Sequence, residues 1–158
     1  MPKDQVFLLL DQKVIHYMQL SHNCAQSSFL ALSEQFGLGN DDMVKALTPL
    51  PGIAERGETC GAVTGALLAL GLVFGRDNIS DWQAYRNSLK PTNEFCDRFV
   101  HEMGSTMCSD IVESKFGQRL DLRKQDDLLQ FQESDATYKC SKVVQTAVQI
   151  AADLILSA

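Results

Sequence analysis

The segment CGAVTGALLALGLVFG, residues 60–75, decides the class of fold. Its apolar residues predict a helix that starts near Thr59 or Cys60 and runs to about Phe74, where Gly75 ends it. The apolar run inside it, residues 66–75, is the longest in the chain and is far shorter than the ~20 residues that a membrane-spanning helix needs. The segment therefore indicates a helix in the core of a globular protein.

Two glycines interrupt this otherwise strong helix. Gly61 and Gly65 each cost roughly 1 kcal/mol in a helix interior, so their presence needs a reason. Because they are four residues apart, they lie on one face and leave backbone exposed there. Close packing of another helix is the favoured explanation for Gly65. The alternative is close approach of the backbone to a cofactor, or to a second sulfur beside Cys60.

Helical periodicity also extends outward along the rest of the chain. Sustained alternation is absent, and so are the hairpin dipeptides Asn-Gly and Asp-Gly. We predict further helices on the stripes Val6 to Tyr17 and Ala25 to Phe36, and over about residues 41–47, 80–103, 108–116 and 135–156. We expect Pro91 to break or kink its helix, residues 51–59 to form a loop, and residues 118–134 to form a polar, charged connection. The sequence predicts an all-α fold, a single-domain multi-helix bundle over residues 1–158.

Composition and charge exclude several classes of function. With 45% hydrophobic and 22% charged residues, the 158-residue chain has globular values and can fold without a cross-link. Its formal net charge of −6 and scattered basic residues argue against nucleic acid and anionic membranes as partners. The N-terminal residues lack a signal-peptide pattern, so we expect a cytoplasmic protein in which permanent disulfides are improbable.

Four of the five cysteines fall within the first turn or two of a predicted helix. A helix start presents unpaired N–H groups and the positive end of the helix dipole, and both stabilise a thiolate. The spacings between these cysteines are 36, 48 and 32 residues, and there is no Cys-x-x-Cys pair, so any shared site must be assembled by tertiary contacts. Cys96 differs, because it lies inside a helix among apolar residues, and we interpret it as a core residue. The candidate catalytic residues, which are also the ligands if a cluster or an ion is bound, are Cys24, Cys60, Cys108 and Cys140.

This cysteine pattern resembles the C_GCAxxG_C_C family, whose members are described as redox-active. The resemblance covers about residues 23–140, and its centre is the stretch from Gly57 through Cys60, Gly61 and Ala62 to Gly65. Here Thr59 rather than glycine precedes the cysteine, and a glycine separates it from the alanine, so the core is Cys-Gly-Ala-x-x-Gly. The resemblance implies a redox role and selects the same four cysteines as the helix-start argument.

Three hypotheses for function follow. In the first, the cysteines carry out redox chemistry, either as a dithiol that cycles with its disulfide or as ligands of an iron–sulfur cluster that passes electrons. Its partner is then a redox protein or a small thiol or disulfide. In the second, the cysteines hold structural zinc in a domain that binds another protein, and in the third they are inert core residues of such a domain. His22, two residues from Cys24, is a ligand, a charge that stabilises the thiolate, or an exposed residue.

Overall fold

Helix formation dominates the computed structural model, which describes residues 1–158. Its nine helices are α1 (Lys3–Ser21), α2 (Cys24–Phe36), α3 (Asp41–Ala46), α4 (Gly52–Glu55), α5 (Gly61–Phe74), α6 (Trp82–Met103), α7 (Cys108–Phe116), α8 (Gln125–Glu133) and α9 (Ala136–Leu156). The only β pairing is an isolated bridge between Thr59 and Met107. The predicted all-α class is confirmed. None of the helices combines the length and the apolar character needed to cross a bilayer.

The core lies between the five longest helices, with α9 at its centre. Helix α9 packs against α1, α2, α5 and α6, and α5 packs most extensively against α2. The helix predicted over residues 135–156 buries one apolar stripe, since Val144, Ala147 and Ala151 are fully inaccessible to solvent. The largest fully buried side chains are Phe29, Phe95 and Phe99. Each such side chain contributes roughly 1.5–3 kcal/mol on burial, so the bundle is stabilised without a cross-link.

Helices α2 and α5 meet almost backbone to backbone, and Gly65 makes this possible. A Cβ atom at Gly65 would lie 2.2 Å from the carbonyl oxygen of Ala25. The buried Ser28 hydroxyl donates a hydrogen bond of 2.9 Å to the Ala62 carbonyl oxygen across the same contact. Ser28 is on α2 and Ala62 is on α5, so their hydrogen bond fixes the first turns of the two helices against each other.

The structure corrects two expectations about the chain's path, the break at Pro91 and the connection over residues 118–134. Helix α6 passes through Pro91 without a break. The carbonyl of Asn87, which loses its partner to the proline ring, belongs to an exposed residue that water can reach. The connection expected over residues 118–134 contains a helix, α8, because Phe131 stacks on Phe116 with ring centroids 4.9 Å apart. Tertiary contact thus adds a helix to a segment whose own pattern is mostly polar.

Candidate functional site

The four helix-start cysteines line one cavity of about 360 Å³. Thirteen of its 18 lining residues are hydrophobic when the cysteines are counted, so its walls are mainly apolar. Cys24 and Cys108 are the first residues of α2 and α7, Cys60 immediately precedes α5, and Cys140 is in the second turn of α9. The bundle therefore brings together side chains that are up to 116 residues apart in sequence.

Cys60 and Cys24 form the closest pair in this cavity. The Cys60 side chain is only 6% exposed, and the Cys24 thiol lies within hydrogen-bonding reach of its sulfur. That hydrogen bond lowers the pKa of Cys60; burial opposes the shift, and the backbone N–H groups of Ala62 and Val63 reinforce it. The same hydrogen bond, together with burial, raises the pKa of Cys24 well above its ordinary value. Of the two, Cys60 is therefore the thiol that ionises more readily, and Cys24 is the one that keeps its proton.

Gly61 leaves the space that the Cys24 sulfur occupies, next to Cys60 in the chain. A Cβ atom at Gly61 would lie 2.4 Å from Cys24 Sγ and 2.8 Å from the backbone nitrogen of Ala25. It would also lie 3.1 Å from Cα of Pro51, which closes the other side. Any side chain at this position would displace the Cys24 sulfur. The first glycine of the Cys-Gly-Ala-x-x-Gly core thus serves the cysteine pair, and the second serves helix packing.

Cys108 is held beside this pair by the isolated β-bridge. On the two sides of the bridge, the Cys60 backbone N–H donates to the Thr106 carbonyl at 2.8 Å, and the Cys108 N–H donates to the Glu58 carbonyl at 2.6 Å. These bonds fix the start of α7 against the start of α5. Burial raises the pKa of Cys108 to about 12 and that of Cys140 to about 12 as well. Both therefore carry their protons at neutral pH, and their pKa values are shifted in the direction opposite to that of Cys60.

A left-handed turn forms part of the cavity wall, in the segment that we expected to be a loop. Its four residues, Gly52 to Glu55, all have positive φ, including 54° at Ile53 and 55° at Ala54. Non-glycine residues disfavour this conformation by roughly 1–2 kcal/mol each, so the surrounding structure must impose it. The Cβ position of Gly52 lies 3.6 Å from Cys108 Sγ, and the turn places the Glu55 side chain on the cavity. The two functions of the turn are thus to support Cys108 and to place a carboxylate at the cavity.

His22 and Cys96 occupy different positions relative to the cavity. His22 is exposed at its rim, where Nδ1 and the Thr137 Oγ1 are 3.0 Å apart and link the end of α1 to the start of α9. Cys96 does not line the cavity; it lies half-buried against the core, and burial raises its pKa. The structure thus separates Cys96 from the other four cysteines.

Sequence reasoning missed the outer wall of the cavity. This wall comes from Leu122 and from α8, which contributes Leu128, Phe131 and Gln132. Leu128 and Phe131 are three residues apart and lie on one helix face, and this spacing was the sequence signal that could have predicted α8. It was weak because charged and amide residues surround it in sequence.

The side chains around the cavity do not form a site for a single metal ion. No group of three or more histidine, cysteine, aspartate or glutamate side chains has an arrangement that could hold one. A tetrahedral zinc site needs four ligands around one ion, so this donor set does not fit structural zinc. The interaction that the cavity does show is pairwise, since Cys24 and Cys60 each shift the pKa of the other.

The fold and the site define a helical protein in which four dispersed cysteines share one largely apolar cavity. The chain belongs to the C_GCAxxG_C_C family, described as "Putative redox-active protein", which it matches over residues 22–154. The match includes all four cavity cysteines. The chain is also 29% identical over 148 residues, 88% of each sequence, to an uncharacterized protein of Archaeoglobus fulgidus. No solved structure matches it.

Proposed function

We propose that the protein carries out dithiol–disulfide exchange, with Cys60 as the attacking thiolate and Cys24 as the resolving thiol. The observation that carries this proposal is the position of the Cys24 sulfur against Gly61, the residue that follows Cys60, in the cavity that both cysteines line. Cys60 sulfur attacks a disulfide R–S–S–R, forms a mixed disulfide and releases one R–S⁻. Cys24 then loses its proton to solvent, attacks the Cys60 sulfur and releases the second R–S⁻. The products are a Cys24–Cys60 disulfide and two reduced thiols, so two electrons pass to the substrate.

The electrostatics of the pair support this order of events. A thiolate, not a thiol, is the nucleophile, and the pKa of Cys60 is the one lowered. The raised pKa of Cys24 comes mainly from its hydrogen bond to Cys60, with burial and the Cys60 charge adding to it. When Cys60 enters a mixed disulfide, both Cys60 contributions disappear and the pKa of Cys24 falls. The resolving thiol is thereby activated only after the first step.

In this proposal the partner is a redox protein or a small thiol or disulfide in a reducing, cytoplasmic compartment. Such a compartment returns the Cys24–Cys60 disulfide to the dithiol, which completes the cycle. Cys108 and Cys140 hold their protons at neutral pH and are not the first nucleophile.

An iron–sulfur cluster is the second candidate, because all four cysteines face one cavity. When bound, such a cluster would use Cys24, Cys60, Cys108 and Cys140 as its ligands and would supply one-electron transfer. The neighbouring positions of Cys24 and Cys60 favour the dithiol alternative, and the absence of a convergent donor set counts against structural zinc.

The reaction with excess dithiodipyridine tests the proposal, because each thiolate released is measured by absorbance. The wild-type protein is expected to release two equivalents rapidly and to form a Cys24–Cys60 disulfide. The Cys24→Ser variant should release one rapid equivalent and retain a stable mixed disulfide at Cys60, seen in the intact mass and located by peptide mapping. Rapid release of two equivalents by Cys24→Ser would show that Cys24 is not the resolving thiol.

A further inference from the structure

We propose that the cavity delivers uncharged, apolar disulfides to Cys60 and discriminates against anionic ones. This inference rests on the proposed dithiol function and names the substrate class for it. It is carried by the chemistry of the cavity walls and by the position of the charged residues around them.

The size and the walls of the cavity suit a small apolar molecule. Its volume of about 360 Å³ lies within the ~300–1,000 Å³ typical of small-molecule sites. Ile111 and Val112 from α7, Leu128 and Phe131 from α8, and Val144 from α9 contribute its apolar surface. A substrate with aromatic or aliphatic groups on its sulfurs would bury those groups against these side chains, at roughly 25 cal/mol for each Å² removed from water.

The charges at the cavity disfavour an anion. Glu55 is the acidic residue that lines it, and no lysine or arginine lines it. Glu55 and His22 are both exposed, so they mark the side from which a substrate enters. A carboxylate on the substrate would therefore meet a negative side chain at the entrance and apolar walls inside, which also penalise a charge.

The nearest basic residues are placed elsewhere and already have partners. Arg56, Arg119 and Arg123 line an adjoining polar cavity, which shares Glu55 and Cys108 with the apolar one. Arg56 Nε lies 3.7 Å from Glu58. Arg119 Nε lies 2.9 Å from Glu113, and Arg123 Nε lies 3.0 Å from Asp121. Lys139 precedes Cys140, but its ammonium group lies over the Phe116 ring, 4.5 Å from the centroid. None of these groups is available inside the apolar cavity to pair with a substrate carboxylate.

The reaction that follows is the exchange described above with an uncharged R–S–S–R as oxidant. The S–S bond of the substrate breaks, Cys24 releases its proton to solvent, a new S–S bond forms between Cys24 and Cys60, and the two electrons leave on two R–S⁻. Because each released thiolate carries a negative charge, it leaves the apolar cavity for water, where it is better solvated. The apolar walls thus favour both binding of the uncharged disulfide and release of the charged thiolates.

Two chromogenic disulfides of similar size test the inference on the full-length protein. Dithiodipyridine is uncharged near neutral pH, and dithiobis(nitrobenzoate) carries one carboxylate on each ring. The rate of each with Cys60 is divided by its rate with β-mercaptoethanol, which corrects for their intrinsic reactivities. We expect the corrected rate for the uncharged probe to be at least about tenfold higher. Glu55→Lys should reduce this preference several-fold, whereas Glu58→Gln, three residues along the chain and outside the cavity lining, should leave it unchanged.

The outcomes separate the inference from the function on which it rests. Equal corrected rates for the two probes in the wild-type protein would overturn the substrate class while leaving dithiol exchange intact. So would a preference that Glu55→Lys and Glu58→Gln change equally. If dithiodipyridine modifies Cys60 but no Cys24–Cys60 disulfide follows, the proposed function itself fails.

Discussion

Replacing Gly61 by alanine tests the link between the shape of the site and its chemistry. The new Cβ would lie 2.4 Å from Cys24 Sγ, about 1 Å inside ordinary van der Waals contact, and 2.8 Å from the backbone nitrogen of Ala25. Overpacking of this kind costs about 1–3 kcal/mol. Alanine recovers up to ~1 kcal/mol of helix propensity, so we expect a net loss of about 1–2 kcal/mol in the free energy of unfolding.

The larger effect should appear in the second step of exchange. Misplacement of a reacting group by 1 Å can cost ~100-fold in rate, so Gly61→Ala should slow release of the second thiolate from dithiodipyridine by about 10–100-fold. Stopped-flow absorbance measures that release, and urea denaturation measures stability. Gly71→Ala is the matched control, because it lies in the same helix with no heavy atom within 4 Å of its Cβ position. If Gly61→Ala matched the wild type in both measurements, the two sulfurs would not meet as described.

Three further predictions concern individual residues. Cys60→Ser should abolish the rapid release of thiolate from dithiodipyridine, whereas Cys96→Ser should retain it; the reverse result would refute the sorting of the cysteines. Gly65→Ala should lower the free energy of unfolding by about 1–3 kcal/mol, because its Cβ would lie 2.2 Å from a carbonyl oxygen of α2; urea denaturation showing stabilisation would contradict this packing. The lowered pKa of Cys60 means that its alkylation rate should rise with pH and reach half its maximum below pH 9.0. Cys24→Ala, which removes the largest cause of that lowering, should move the midpoint upward, and an unchanged midpoint would show that Cys24 does not stabilise the thiolate.

Much of the fold could be predicted from the sequence because its main helices are locally encoded. The stripe on α9 and the glycines that end α2, α5 and α7 carry their own periodicity and stop signals. Helix α8 could not be predicted in this way, because its apolar face is packed only through contact with another helix, as Phe131 is with Phe116. The positive φ of Ile53 is likewise imposed by tertiary contacts and has no local sequence signal.

The site was predicted in part. The position of Cys60 at a helix start is a local property, and Gly61 indicated that something approaches closely beside it. That the approaching group is the sulfur of Cys24 depends on how α2 crosses α5, which no spacing within a single helix encodes. The cavity wall from α8 was missed for the same reason.

The direct test of the cysteine pair is disulfide mapping after equilibration in thiol–disulfide buffers of graded potential. Free thiols are trapped with an alkylating agent, and mass spectrometry then identifies the linked peptides. The account predicts one reversible two-electron transition in which Cys24 and Cys60 become linked, with Cys96 remaining alkylated throughout. A transition that links other cysteines, or the absence of any Cys24–Cys60 disulfide across the range, would contradict it.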